Sequence, residues 1–146
     1  MTPPTYELDG TLNDSDLLSL HSTPVNLIVI PSRDKIIPMQ LVLDWKFGGV
    51  AVFSGLGSGD LQVRDSFSGL SYIAASSLGL LDKTSQSVQV IAANSTPKNV
   101  GAQGAQAIFL VNSAPNYDGG DPDDNSNSLK IRLIYCKYDA LNGVFV

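Results

Sequence analysis

The chain has 146 residues, with 9 basic against 14 acidic side chains, a formal net charge of −5 and a pI near 4.5. Nucleic-acid affinity rests mostly on Lys and Arg neutralising phosphates, and the few basic residues are scattered, so DNA and RNA are excluded as expected partners. One cysteine, Cys136, excludes an internal disulfide and a multi-cysteine metal site, and no apolar run approaches the ~18 residues that cross a bilayer.

The length fits one domain with a core of its own. Charged residues make up 16% of the chain, below the usual share of about 25%. Only Glu7 is Glu; the other acids are Asp, which favours turns and caps over helix interiors. With 13 Gly and 8 Pro, this is the composition of a β protein with many turns.

In chain order, residues 1–13 are polar, with isolated apolar residues at Tyr6, Leu8 and Leu12. They read as an extended N-terminal arm, either mobile or docked on something else. Met1-Thr-Pro-Pro is neither basic nor apolar, so no secretory signal is read there and folding in a cytoplasm is expected. Asp14 to His21 is the best helical candidate, with Asp14 or Ser15 as cap and an apolar face of Leu17, Leu18 and Leu20. Pro24 stops it after about two turns.

Val25 to Ile30 is a strand, and Ile36 to Trp45 is a longer one whose Ile37, Met39, Leu41, Leu43 and Trp45 share a face. Pro38 lacks a donor, so its end should be an edge or a bulge. Short strands follow at Val50 to Ser54 and Leu61 to Arg64, divided by the glycine-rich turn 55–59. Ser66 to Ser77 is ambiguous between a bulged strand and a helical turn. Ser87 to Ala93 and Gln106 to Val111 are strands.

Ser128 to Tyr138 organises the rest. Leu129, Ile131, Leu133 and Tyr135 alternate onto one face; on the other, Lys130 and Arg132 give way to Ile134 and Cys136. With no Gly or Pro it suits a central position, one side buried and the other passing from wet to dry. The expected fold is all-β: a jelly-roll-like antiparallel β-sandwich of about eight strands, a domain over 14–146 following the arm.

Few residues point to chemistry. In the acidic loop, Asp121, Asp123, Asp124 and Asn125 are oxygen ligands of the kind calcium takes, but without EF-hand spacing. A solvated loop, kept flexible by Gly, Pro and like charge, is the simpler reading. His21 is the only histidine, and no nucleophile elbow accompanies it. Trp45, Phe47, Phe53, Phe67 and Tyr72 offer a sugar-binding face or, more simply, core. Cys136 reads as a buried, inert thiol.

One resemblance goes further. Leu17 to Val29, LLSLHSTPVNLIV, resembles the start of a small tailed-phage protein type, followed by a long apolar strand matched at Lys35 to Trp45. Gln106 to Asn112, Asp118 to Asp121 and Ser128 to Tyr138 match its last third. The chain thus resembles phage capsid cement or decoration proteins of jelly-roll type, at its two ends and weakly between Ser54 and Thr84. The stretch 122–127 looks inserted.

The resemblance implies a homotrimer on the outside of a capsid, bridging subunits of the major capsid protein within a virion made in a bacterial cytoplasm. It implies no enzyme, cofactor, nucleic acid or membrane. Tyr6, Leu8 and Leu12 are then the expected partner contacts, as anchors of a strap. Two other classes stay open: a trimeric tail-fibre or glycan-binding module presenting Trp45, Tyr72 or a calcium-loaded loop, and a small glycan hydrolase, for which no carboxylate pair stands out.

Overall fold

A computed structural model describes residues 3–30, 34–57, 59–66, 71–94, 106–113, 117–139 and 141–146. They form the strands β1 (Tyr6–Asn13), β2 (Val25–Ile30), β3 (Asp34–Lys46), β4 (Phe53–Ser54), β5 (Asp60–Asp65), β6 (Ser71–Ser76), β7 (Ser87–Ala92), β8 (Gln106–Asn112), β9 (Asp118–Gly119), β10 (Ser128–Asp139) and β11 (Val144–Phe145). A single helix among them, α1, spans Asp14–Ser19.

The long strands make two antiparallel sheets. The first has the order β1-β10-β3-β7, with β11 also pairing β10; the second has the order β2-β8-β5-β6. Each sheet draws strands from both halves of the chain, and only β5 and β6 are consecutive long strands within one sheet. This is a jelly-roll-like order. It reflects the expected problem of a sheet with one apolar face, which is stable only when that face meets another.

Alternation selects the inner faces. Leu41, Leu43 and Trp45 of β3 and Leu129, Ile131 and Leu133 of β10 face Leu61 and Val63 of β5, Ile73 and Ala75 of β6, and Ile108 and Leu110 of β8 in one buried cluster. The Trp45 indole N–H donates to the Lys83 carbonyl at 2.9 Å, so the largest core side chain leaves no polar atom unpaired.

The central strand behaves as its pattern predicts. β10 lies between β1 and β3. Its outer face passes from exposed Lys130 and Arg132 through half-buried Ile134 to buried Cys136. Burial raises the Cys136 thiol pKa, the environment of an inert thiol. Pro38 sits beside the predicted irregularity: Tyr135 pairs with Pro38 and Ile134 with Gln40, which leaves Met39 as an extra residue in β3. The chain can then keep a proline in a central strand.

Four readings change. Ile37 and Met39 do not share the inner face of Leu41, Leu43 and Trp45: the extra residue at the bulge moves the alternation by one, so Ile36 is buried and Met39 is 45% exposed. The helix begins where expected, but Asn13 caps it: its side chain accepts from the Asp16 N–H at 2.9 Å, and Asp16 accepts from the Asn13 N–H at 3.0 Å. This capping box releases Asp14 for another task. The ambiguous 66–77 stretch contains a strand, β6, although 67–70 lie outside the described residues. Residues 6–13 are extended, as read, but they are edge strand β1, paired with this chain's own β10 from Tyr6 opposite Tyr135 to Asn13 opposite Ser128. Leu12 is only 4% exposed, a burial worth about 1.5–3 kcal/mol for a leucine.

Candidate functional site

Period-two alternation leaves the other side of the first sheet facing outward. Its rows can be read from the strand register. Thr11, Lys130, Asp44 and Val88 form one row; Asp9, Arg132, Val42 and Val90 form the next. A groove of about 540 Å³ opens over these rows. Its side toward β1 and β10 carries Asp9, Lys130 and Arg132; toward β3 and β7 it is lined by Val42 and Val88 beside the single charge of Asp44.

Arg132 donates from Nε to Asp9 at 2.8 Å and lies 3.9 Å from Glu7. The hydrogen bond to Asp9, then the charges of Asp9 and Glu7, raise its pKa. These side chains are half exposed, so solvent and salt screen the pair, and it orients the guanidinium more than it stabilises the fold. Across the groove, Gln86 donates to Asp44 at 2.8 Å. Lys130 stands between Thr11 and Asp44 with no ion-pair partner among the described residues. Val88 and Val90 are 57% and 60% exposed, unusual for valines at strand positions. The face therefore offers a cation, hydrogen-bonding groups and an apolar strip side by side, the mixture found where protein surfaces meet. It holds no nucleophile–base pair.

The acidic loop has a structural task. Asp14 is fully buried and its carboxylate collects three donors: the Asp121 N–H at 3.0 Å, the Asn127 N–H at 3.0 Å and the Asn127 side-chain amide at 2.7 Å. Asn127 reaches on to the Ala51 carbonyl and accepts from the Gly48 N–H. Ser15 donates from its backbone and its hydroxyl to Asn125 Oδ1, both at 3.0 Å. Asn125 holds this position at φ +51°, a left-handed conformation that Asn tolerates better than most residues. The loop is thus pinned to the start of α1, where a flexible solvated loop was expected.

The four candidate calcium ligands do not converge. Asp123 and Asp124 are exposed, and Asn125 Oδ1 already serves Ser15. Asp121 is buried, and its Oδ2 meets no donor among the described residues. One such oxygen is far short of the roughly six to eight that calcium takes. Among the described residues no three His, Cys, Asp or Glu side chains gather.

The other singled-out residues are accounted for locally. Trp45, Phe53 and Tyr72 are buried, Phe53 lying edge-on to both Trp45 and Tyr117; they are core and present no platform to a sugar. Phe47 is half-buried just past the end of β3, and Phe67 lies outside the described residues. Tyr72 donates to buried Asp65 at 3.0 Å, and burial, then Asp65, raises its pKa. Tyr117 is pushed up to about 12 by burial, against a hydrogen bond with Ser77 that lowers it. His21 Nδ1 donates to the Asn112 carbonyl at 2.8 Å. The element that follows the glycine-rich segment is strand β5, not a helix.

Of the three expected anchors, Leu12 is in the core and Leu8 packs against it. Tyr6 stacks on Tyr135 with centroids 5.6 Å apart, beneath the Lys137 ammonium at 4.5 Å, and donates to the Val146 carbonyl. The structure thus gives each an intramolecular partner. Sequence reasoning missed the groove. The alternation of 40, 42, 44 on β3 and 130, 132 on β10 was readable, but no local signal says that these two strands pair.

No family model matches the sequence, and no curated protein matches it. Solved structures do. A chain of the capsid asymmetric unit of cyanophage Pam1 is similar over 91% of this chain and 84% of its own, with 13% identity and a TM-score of 0.50. At this identity the likeness shows the fold. Chains from the capsid of Ralstonia phage GP4 (17% identity, 92% and 83% coverage, TM-score 0.48) and from the acid-stable capsid of Helicobacter pylori bacteriophage KHP30 (10%, 90% and 86%, TM-score 0.43) are similar at a lower level. All three neighbours are chains of phage capsid structures.

Proposed function

We propose that this chain is a phage virion structural protein of jelly-roll type. It binds the outside of the capsid shell as a trimer and stabilises it by bridging subunits of the major capsid protein. The carrying observation is the likeness to the Pam1 capsid chain, which runs through 91% of the sequence and so includes both sheets. The strand order supports it: jelly rolls recur in viral capsid domains.

The side-chain chemistry favours a binding role over catalysis. The buried acids Asp14 and Asp65 are engaged in hydrogen bonds that hold the fold. The groove over β1, β10, β3 and β7 is the surface best suited to a partner. A protein segment with an acidic group for Lys130 and an apolar side chain for Val42 and Val88 fits it. Copies bound repeatedly to a lattice need only modest affinity at each site. A ligand that prefers one shell state shifts the shell toward it, and stabilisation of the particle follows.

The test is to add purified protein to capsids that lack it and measure occupancy and thermal release of DNA. The wild-type chain should saturate the shell and raise the release temperature. Lys130→Glu combined with Val42→Asp should keep the Tm of the free protein within about 3 °C and lose occupancy by tenfold or more. Absence of capsid binding by the wild-type chain would end the proposal, and light scattering of the free protein decides the trimer.

A further inference from the structure

A sheet edge carries open N–H and C=O groups, and proteins guard such edges with charge, proline, bulges or covering segments. Three edge strands here carry a guard. β1 has Glu7 and Asp9 and shares its lane along β10 with β11. β2 is irregular between Asn26 and Ile28, and β6 meets β5 across an irregularity between Val63 and Arg64. Among the described residues β7 has none of these. Ser87–Ala92 contains no charge and no proline, its ladder with β3 runs without a shift, and no strand lies on its other side among the described residues.

The segment is also its own complement. Val88, Gln89 and Val90 read the same in both directions. Pair two such strands antiparallel about a two-fold axis through Gln89, and Val88 stands opposite Val90 of the copy while Gln89 stands opposite its equivalent. Opposed residues in an antiparallel pair share a face. Four valines, now more than half exposed, would close into one patch beside the Val42 of each copy. Neither β7 strand brings a charge to the seam; the Asp44 of each copy stands one strand back, beside Val88. A two-fold contact requires this kind of self-complementarity.

We propose that β7 is a self-association edge, which a second copy of this chain extends into one continuous sheet. The inference stands independently of the proposed role in a virion. A six-residue edge is small beside the ~800 Å² per partner of a standard stable interface. The contact is therefore weak between free molecules and fills at high concentration, or where copies are held side by side.

Disulfide trapping tests it with the register built in. Opposed Cα atoms of an antiparallel pair lie about 4.5–5.5 Å apart, inside the disulfide window. Diagonal ones lie about 7–8 Å apart, outside it. Val88→Cys protein mixed with Val90→Cys protein should cross-link under mild oxidation at least fivefold faster than either alone. Buried Cys136 does not compete. In sedimentation of the otherwise unaltered chain, Val90→Lys should abolish the concentration-dependent pairing while leaving Tm unchanged. Cross-linking no faster in the mixture than in its components, or no pairing of the wild-type chain up to about 1 mM, would overturn the proposal. A trimer built through another face gives the first of those results.

Discussion

Replacing Asp14 by Ala tests the view that the acidic loop is held by a buried clamp. The carboxylate receives three hydrogen bonds at 2.7–3.0 Å. In the variant the Asn127 side chain still has the Ala51 carbonyl, but the N–H groups of Asp121 and Asn127 lose their acceptor. Each orphaned buried donor costs about 1–3 kcal/mol. With the lost charged bonds, and allowing for relaxation, the expected loss is about 3–5 kcal/mol. That is a large share of the roughly 5–15 kcal/mol that holds a domain of this size. It corresponds to a fall in Tm of about 10 °C.

Trp45, the only tryptophan and fully buried, reports unfolding in urea by its fluorescence. The midpoint should fall at constant m-value. Asp14→Asn, which keeps one acceptor oxygen, should cost about half as much. Asp123→Ala and Asp124→Ala, at exposed positions of the same loop, should stay within about 0.5 kcal/mol of wild type. A loss below about 1 kcal/mol for Asp14→Ala, or an equal loss for Asp123→Ala, would refute the clamp.

Gly120 has φ +70°, and a Cβ there would lie 2.7 Å from Phe53 Cζ and 2.8 Å from Asp14 Oδ1; Gly120→Ala should destabilise by more than about 2 kcal/mol in the same urea assay. Tyr117 has its pKa raised to about 12, so the neutral phenol is the folded-state form; its contribution is full below pH ~10 and is lost as pH rises to about 12, and Tyr117→Phe should flatten that alkaline fall in Tm. The Cys136 thiol, buried and raised in pKa, should react with a thiol reagent only at the rate of unfolding, and faster labelling in the native protein would contradict its placement.

Much of the strand pattern was legible because alternation is a local property. Ser128 to Tyr138 announced a central strand whose outer face dries along its length, and β10 has that position and that gradient. Pro38 announced an irregularity, and β3 carries it. The cap was misread by one residue because Asn13, Asp14 and Ser15 are all good caps. Choosing among them needed the tertiary partner that claims Asp14. The arm was misread for a similar reason. Sparse apolar residues at Tyr6, Leu8 and Leu12 fit a strap and an edge strand equally, and only the presence of β10 beside them decides.

Composition and alternation by themselves determined a charge-poor β-sandwich and the faces of its regular strand segments, because side-chain direction there depends only on position along a strand; at the bulge in β3 the alternation moved by one, and Met39 lies outside while Ile36 lies inside. Which strands became neighbours was decided by the folded structure alone. Asp9 and Arg132 are 123 positions apart, and no short-range preference links them. They share one row with Val42 and Val90 because burying both apolar sheet faces together leaves this order of strands. The groove and the open edge beside it exist only as consequences of that order.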